Sequence, residues 1–419
     1  MTVSNGTQSG SNGTENGSTT VDIPLSVALS PNDLKSVPGL VKEVSSYSES
    51  LFTNDYAARQ KLLSKARALV RALETPRETM IKHCWAQTGC HAALTTCINL
   101  NVFSLLASDN GSAKKVADLA KAVKCEEKLL AMGYIVETGP DEYKPTNFSS
   151  SLTIPIIRDG YPALASCGIT AITMFPEYLI KYGYKTPNDA KFGPYQWAYN
   201  TKDNFFEYLQ NNPPHGVEFN HHMGGYRQGR PSWMDKGFFP VQEQLIDGAK
   251  PERAFLVDVG GGMGHDLMEF HRKHPHVPGQ LILQDLPIVI ENQLGDLSDA
   301  IKPISHNFLE PQPVKGARAY YMHSVLHDWP DDVAGTILKH LIDAMEPGYS
   351  KLLINENVIP PKSADWQATA LDMMMVTLLS AEERTEQSWR TLLEGAGLRI
   401  LNIWKAAEGV ESLIECEKV

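Results

Sequence analysis

A glycine-rich segment at 257–266, VDVGGGMGHD, follows an apolar stretch. Its acid and glycines are Asp258, Gly260, Gly261, Gly262 and Gly264. Glycine lets the backbone approach a ligand closely, and the acid can bind a cationic amino group. A dinucleotide fingerprint requires another glycine where this chain has His265 or Leu267, and no lysine followed by Ser or Thr closes a phosphate loop. The segment therefore favours a ligand without phosphate.

A second acid ends the next apolar stretch along the chain. Asp285, in LILQDLP, lies 21 residues after Gly264. At the end of a second strand, a carboxylate can accept hydrogen bonds from both hydroxyls of a ribose. A ribose, a cationic amino-acid end and no phosphate together describe S-adenosylmethionine, and the sequence predicts this cofactor.

A histidine and two acids form a second candidate cluster. His327 lies in HSVLHDWPDD a few residues after a buried strand, Glu356 ends the next strand, and Glu383 in AEERT follows a helix. A carboxylate on one imidazole nitrogen directs the other nitrogen at a substrate, as a general base requires. The usual pKa of histidine is about 6.5 and that of a phenol about 10, so we expect a neutral imidazole that accepts the proton of a hydroxyl. The resulting oxygen anion would attack a sulfonium methyl group without a metal ion.

The composition of the 419-residue chain excludes several partner classes. Its net charge of −11 provides no basic field for nucleic acid or anionic lipid. Six cysteines without a CxxC pair indicate free thiols in a reducing compartment. The histidines at 221–222 and 271–276 lack the partners of a metal site. Because we find neither a membrane-spanning apolar run nor a signal peptide, we expect a cytoplasmic protein.

Strands and helices alternate from residue 253 onward. The expected strands are 254–259, 280–284, 319–322, 351–355, 399–404 and 412–416, and the expected helices lie near 265–274, 331–345, 368–379 and 386–396. This alternation predicts a Rossmann-like, doubly wound α/β domain at 246–419, with ligands at the carboxyl ends of parallel strands. The last strand follows a short link, so we expect it to be antiparallel.

The N-terminal half is predicted to be mainly helical. Residues 1–30 are expected to be a disordered tail, and 31–160 a helical domain containing a helix at 40–74. Thr75 and Glu78 form a capping box, a largely buried helix pair follows, and a hairpin at 134–138 and 142–145 completes a winged helix. Acids balance the local lysines, which favours dimerisation over DNA binding. The aromatic-rich segment 161–245 either packs helices or lines a substrate pocket.

The ordered motifs VDVGGGMGHD, LILQDLP, HSVLHDWPDD, INENVIP, AEERT and LLEGAGLRI resemble the class I S-adenosylmethionine-dependent O-methyltransferases. The likeness is to the plant caffeate type and more closely to fungal secondary-metabolite enzymes. It implies His327 as catalytic base, Glu356 and Glu383 as supporting acids, and a winged-helix homodimer. The cofactor contacts that it implies are Asp258, Gly260, Gly261, Gly262, Gly264, Asp285, Leu286, Asn307, Phe308 and His323.

Three positions depart from the family pattern. Asn307 stands where the family usually has an aspartate beside the adenine ring, and His323 where plant members have a lysine. The segment 126–130 is shorter than the corresponding helix of relatives. These departures bear on cofactor affinity and on the form of the dimer.

The resemblance implies O-methylation of a small aromatic or polyketide-type metabolite. The same fungal family includes enzymes that bind S-adenosylmethionine yet catalyse dehydration or pericyclic ring closure, and some of these have lost the catalytic histidine. Because His327 and both acids are present, we expect methyl transfer, with a pericyclase as the alternative. A DNA-binding regulator is the third possibility, although no basic recognition helix is evident.

Overall fold

The computed structural model describes residues 23–48, 55–125, 135–226, 230–291, 297–406 and 410–419. The chain divides into two compact units, Met1–Gly89 and Cys90–Val419. This division does not coincide with the predicted boundaries at 160 and 245, which stay predictions for the functional parts of the chain.

The first unit is helical where it is described. It contains a 3-10 helix Leu25–Leu29, α1 Val37–Ser48, α2 Tyr56–Leu73, α3 Pro76–Ile81 and a π-helix that begins at Lys82. The 3-10 helix lies inside the predicted tail, so regular structure begins before residue 31. The helix expected at 40–74 is two helices that pack on each other, and the segment between them lies outside the described residues. The predicted capping box is confirmed, because Glu78 N–H donates to Thr75 Oγ1 and Thr75 N–H to Glu78 Oε2.

The second unit begins with helices and a small antiparallel sheet. These elements are α4 Thr88–Asn99, α5 Val102–Gly111, β1 Lys114–Lys115, α6 Val116–Val123, β2 Ile135–Gly139 and β3 Glu142–Pro145. The predicted hairpin is confirmed, and β1 adds a third strand in the order β1-β3-β2. The apolar core of these helices and strands includes Leu94, Phe103, Leu106 and Leu119. The shortened segment 126–130 lies outside the described residues.

A helical region follows. Its elements are α7 Asn147–Ser151, α8 Pro155–Arg158, α9 Gly160–Cys167, α10 Ile169–Tyr182, α11 Pro194–Tyr199, α12 Phe205–Asn211, α13 His215–Tyr226 and a π-helix Gln242–Ile246. The helical run Pro155–Tyr182 has the length and apolar character of a membrane span, contrary to our expectation from the sequence. Its residues Cys167 and Ala171 pack into a buried core with α11, α12 and the helix at 366–379, and such packing is ordinary for a core helix.

The remainder is the predicted α/β domain. Its elements are β4 Ala254–Val259, α14 His265–Lys273, β5 Gln280–Asp285, α15 Pro287–Glu291, β6 Ile301–Ser305, β7 Ala319–His323, a 3-10 helix Leu326–Asp328, α16 Asp331–Ala344, β8 Lys351–Glu356, α17 Trp366–Leu379, α18 Glu386–Gly395, β9 Leu398–Lys405 and β10 Ser412–Lys418. The six expected strands are present, and β6 was missed. The helix expected at 368–379 begins two residues earlier, at Trp366.

The seven strands form one sheet in the order β6-β5-β4-β7-β8-β10-β9. Strands β4 to β8 pair in parallel, and β10 pairs antiparallel with both β8 and β9, as predicted. One apolar core on one face includes Tyr320 and Trp389, and the core on the other includes Phe270 and Tyr321. The carboxyl ends of the parallel strands meet at one edge, where the candidate site lies.

Candidate active site

The glycine loop and Asp285 lie together at the ends of β4 and β5. Gly260 and Gly261 donate their N–H groups to the carbonyl oxygen of Gln284 at 2.8 and 3.1 Å. Gly262 N–H donates to Asp285 Oδ2 at 2.8 Å. Gly260 and Gly262 have φ angles of 75° and 56°, which glycine adopts readily. The structure therefore brings the predicted loop and the predicted ribose acid into contact.

Asp258 is buried beneath this loop. A Cβ atom at Gly261 would lie 2.5 Å from Asp258 Cγ and 2.6 Å from Leu283 Cδ1, so a larger residue at position 261 would force these buried side chains to move. The Asp258 carboxyl thus lies inside the turn that the glycines form. Contact with a cationic amino group stays a prediction.

Gln284, whose backbone carbonyl binds the glycine loop, also has a side-chain amide in a buried pair. Gln284 and Gln312 exchange two side-chain hydrogen bonds of 2.9 and 2.8 Å, and both are almost fully buried. Gln312 also accepts the N–H of Val314 at 3.0 Å. The sequence analysis missed this pair, although a glutamine within a buried strand signals an internal polar partner.

The predicted adenine-side residues lie around Asp285. Leu286 is partly exposed and donates its N–H to Asp285 Oδ1 at 2.7 Å. Asn307 Oδ1 accepts the N–H of Leu309 at 3.0 Å and so closes its own turn. Phe308 packs beside Gly260 and edge-on to Trp329, with ring centroids 6.0 Å apart. Burial raises the pKa of Asp285, against the two N–H groups that favour its anion.

His323 is the last residue of β7. Its Nδ1 atom is 2.7 Å from Asp266 Oδ2, which also accepts the hydroxyl of Tyr321, and its Nε2 atom is 3.8 Å from Glu411 Oε2. Because Asp266 is in the first turn of α14, His323 connects the end of β7 to the helix that follows the glycine loop. The sequence analysis did not identify Asp266 or Glu411.

The predicted catalytic residues are brought together in a buried cluster. His327 lies in the 3-10 helix after β7, and its Nδ1 atom is 2.6 Å from Glu383 Oε1. Glu356 Oε2 is 3.6 Å from the same nitrogen. The opposite nitrogen, Nε2, is 3.4 Å from Asp328 Oδ1. Asp328 was missed, although it directly follows the histidine in the quoted motif.

Glu356 contacts the backbone of the histidine turn more closely than it contacts the imidazole. Its Oε1 atom accepts the N–H groups of Val325 and Leu326, each at 2.9 Å, and that of His327 at 3.4 Å. The side chain has no exposed surface. Glu356 therefore holds the turn in place, and Glu383 makes the shorter contact with the ring.

The expectation of an imidazole with an ordinary pKa is wrong. Burial alone would lower the pKa of His327, but the charges of Glu356 and Asp328 and the hydrogen bond with Glu383 raise it well above its usual value. Burial raises the pKa of Asp328 to about 7 and also raises that of Glu356. The carboxyl groups that surround the ring therefore favour the imidazolium over the neutral imidazole.

Aromatic side chains extend from the helical region to the histidine turn. Phe206 lies 6.5 Å from Trp329 between ring centroids, and Phe219 lies against Phe205 at 5.2 Å. Trp329 is two residues after His327. Among the residues that the structure describes, no three His, Cys, Asp or Glu side chains are grouped so that they could hold a metal ion.

Comparison with known proteins identifies the family. A family model described as an O-methyltransferase domain matches residues 249–399. The O-methyltransferase mfmE of Annulohypoxylon moriforme is 34% identical, over 90% of this chain and 95% of its own. The O-methyltransferase asqD of Emericella nidulans is 40% identical over 70% of this chain and 76% of its own.

The chain belongs to the S-adenosylmethionine-dependent O-methyltransferases. The resemblance in the motifs is thereby confirmed, as is the fold class of a helical N-terminal region and a doubly wound α/β domain. Another fungal relative of this methyltransferase is the O-methyltransferase mpaG of Penicillium brevicompactum. It is 35% identical, over 91% of this chain and 98% of the length of mpaG.

Two solved structures have the same fold over nearly the whole methyltransferase. LepI in complex with SAM has a TM-score of 0.82 at 27% identity and covers 92% of this chain and 99% of its own. OxaC in complex with sinefungin and meleagrin has a TM-score of 0.81 at 24% identity, with the same coverage. A further solved structure, described as a pericyclic reaction enzyme, also has a TM-score of 0.82 at 27% identity. S-adenosylmethionine is the cofactor of the family. The glycine loop fits it, because the space over Gly262 is open beside the Asp285 carboxylate.

Proposed function

We propose that this methyltransferase transfers a methyl group from S-adenosylmethionine to a hydroxyl of a small aromatic or polyketide-type metabolite, with His327 as general base. The observation that carries the proposal is the buried contact of 2.6 Å between His327 Nδ1 and Glu383 Oε1. It fixes one ring nitrogen, and we assign the substrate hydroxyl to the other, Nε2, where it would replace the neighbouring Asp328 Oδ1, 3.4 Å away. The names of the fungal relatives support the reaction class.

The residues that would hold the cofactor lie along the ends of β4 to β7. We assign the ribose to Asp285, the close approach to the glycine loop at 260–264, the amino-acid end to the side of Asp258 and His323, and the adenine to the side of Leu286, Asn307 and Phe308. When bound, S-adenosylmethionine supplies an electrophilic methyl group on a sulfonium cation. The short contact between Gly262 and Asp285 supports this assignment.

The chain's own residues would handle the proton. His327 must be neutral before it can accept the hydroxyl proton of the substrate at Nε2. Burial favours the neutral ring, whereas the surrounding carboxyls favour the cation, so positive charge added to the cleft shifts the balance toward the neutral base. Glu383 then stabilises the imidazolium that forms as the substrate is deprotonated.

A second candidate function is pericyclic or cyclising catalysis. It is favoured by the 27% identity to LepI, and by the raised pKa of His327, because an imidazolium is a hydrogen-bond donor that can activate a carbonyl group. In that reaction the cofactor would not be consumed. His327 would then act as a proton donor in place of a base.

The decisive experiment measures stoichiometry. The protein is incubated with methyl-labelled S-adenosylmethionine and a panel of phenols and hydroxypyridones, and product and S-adenosylhomocysteine are both quantified. We expect one S-adenosylhomocysteine for each product molecule, with the label in the product. Product formed without S-adenosylhomocysteine would overturn methyl transfer and support the second candidate.

We also propose a cytoplasmic homodimer. The helices at about 75–107 include Trp85 and Met80, whose exposed fractions of 68% and 48% are large for apolar residues. A second copy of the chain would cover them. The six cysteines are all free thiols, as in a reducing compartment.

A further inference from the structure

Arg384 is a buried arginine that binds the backbone of the histidine turn. Its Nη1 atom donates to the carbonyl of Leu326 at 2.7 Å and its Nη2 atom to that of Trp329 at 2.8 Å. Nε and Nη2 also donate to Asp331 Oδ1 at 3.0 and 2.8 Å. The arginine is only 1% exposed. Its guanidinium therefore joins both sides of the turn that contains His327.

Arg384 directly follows Glu383 in the chain, so two adjacent residues contact the side chain and the backbone around His327. Glu383 binds the imidazole of His327, and Arg384 binds the carbonyl groups before and after that residue. On the opposite side, Glu356 accepts the N–H groups of the same turn. The Glu356 carboxylate thus binds backbone N–H groups of the turn, and the Arg384 guanidinium binds its backbone carbonyl groups.

We propose that Arg384 is a positioning residue of the active site, which fixes the carbonyl side of the histidine turn so that Nδ1 of His327 stays in contact with Glu383. This inference rests on the proposed role of His327. Asp331, whose side chain is 67% exposed, accepts two hydrogen bonds from the same guanidinium but lies outside the histidine turn. The two backbone carbonyls are the contacts that matter.

Lysine cannot replace this arginine without loss. A guanidinium presents its donors in a fixed planar fork, whereas an ammonium group is a single point on a flexible stem. A lysine at position 384 would leave at least one buried carbonyl without its donor, and the turn would relax. A displacement of about 1 Å in a catalytic group can reduce turnover about 10²-fold.

The chain contains a matched control at the other end of the sheet. Arg318, which immediately precedes β7, donates to the carbonyls of Leu245, Tyr349 and Gln244 at 2.8, 2.6 and 2.7 Å. It therefore makes the same kind of contact, but far from the histidine turn. Arg318→Lys should perturb folding as Arg384→Lys does without moving His327.

The test compares Arg384→Lys and Arg318→Lys in the full-length protein. Steady-state kinetics gives kcat and KM, calorimetry gives the Kd of S-adenosylmethionine, and NMR of 13C-labelled histidine follows the ionisation of His327, assigned with His327→Gln. We expect Arg384→Lys to lower kcat about 10-fold to 10²-fold with KM and Kd nearly unchanged. The pKa of His327 should fall toward its ordinary value, because the ring moves away from Glu383. Arg318→Lys should change neither kcat nor that pKa.

Wild-type kcat and a wild-type His327 titration in Arg384→Lys would overturn the inference. Equal loss of kcat in Arg318→Lys would also overturn it, because general destabilisation would then explain both variants. If the wild-type protein produces no S-adenosylhomocysteine, the proposed function fails separately. The NMR titration still decides the role of Arg384 in that case, since it requires no methyl transfer.

Discussion

Nδ1 of the His327 imidazole lies 2.6 Å from Oε1 of the Glu383 carboxylate, and both side chains are almost fully buried. The two residues lie 56 positions apart in the chain. The contact determines which ring nitrogen remains available, so the chemistry of the site depends on it.

His327→Ala should lower kcat by about 10²-fold to 10⁴-fold, which is the usual contribution of a general base. Cofactor affinity should be nearly intact, because the residues that we assign to the cofactor do not include His327. Part of the loss should return at high pH, where the substrate hydroxyl ionises unaided. Kinetics as a function of pH checks this, with the exposed His276 replaced by alanine as control. An unchanged kcat in His327→Ala would refute the proposed base.

Replacement of the two supporting glutamates should have different effects. Glu383→Gln should reduce kcat less than His327→Ala does, because the base remains while its orientation is disturbed. Glu356→Ala should destabilise the fold by roughly 3 kcal/mol, since buried N–H groups of the turn lose their acceptor. Urea unfolding measures the stability of each variant and steady-state kinetics measures its kcat, so the two measurements together distinguish the roles of Glu383 and Glu356. Equal stability of Glu356→Ala and wild type would contradict the assignment of Glu356 to the turn.

Asp285→Ala should weaken S-adenosylmethionine binding by roughly 1 to 3 kcal/mol, the cost of losing hydrogen bonds to a charged group. Isothermal titration calorimetry measures the change directly. Replacement of the exposed Asp299 by alanine provides a control of the same residue type. If both variants bind the cofactor as the wild type does, the ribose assignment is wrong.

The catalytic cluster should make the folded protein less stable as pH rises. His327, Asp328 and Glu356 all have raised pKa values in the folded state, that of Asp328 reaching about 7. The folded state therefore binds more protons than the unfolded state, so the stability that these groups contribute is present at low pH and is lost as pH rises through their folded pKa values. Asp328→Asn should match the wild type at about pH 4 and exceed it in stability above about pH 7.

Urea unfolding of the cofactor-free protein across this range tests the prediction. Asp332→Asn, in the first turn of α16 and exposed, controls for the loss of one surface charge. A wild-type advantage over Asp328→Asn that grows with pH would have the opposite sign and would exclude a raised pKa for Asp328.

The apolar surface of Trp85 and Met80 should be buried in a homodimer. Light scattering at micromolar concentration should give about twice the chain mass of 46.3 kDa. Trp85→Ala should shift the equilibrium toward the monomer, whereas Leu401→Ala, on the edge strand β9, should not. A wild-type monomer at this concentration would contradict the proposal.

Much of the site could be predicted because its signals are local. Apolar runs ending in Asp285 and Glu356 placed both acids at the ends of strands, and the glycine pattern identified the loop between them. Strand β6 lacked such a signal, because it is short, lies at the edge of the sheet and contains Pro303 between mostly exposed positions. Edge strands of this kind do not show a continuous apolar run.

The electrostatics of the cluster could not be predicted from local patterns. The pKa of His327 depends on its neighbour Asp328 and on Glu356 and Glu383, which are distant in the sequence and meet the ring only in the folded protein. Arg384 is similarly obscure in the sequence, where AEERT has the composition of an exposed segment. Its burial becomes explicable only when the carbonyls of Leu326 and Trp329 are seen beside it.

Strand β10 connects the antiparallel end of the sheet to the catalytic cluster. It lies between β8 and β9, and its first residue, Ser412, pairs with Glu356. This pairing fixes the end of the strand whose glutamate holds the histidine turn. A substitution that weakens the pairing of β10 with β8 therefore loosens the histidine turn, although β10 contributes no side chain to the His327 cluster.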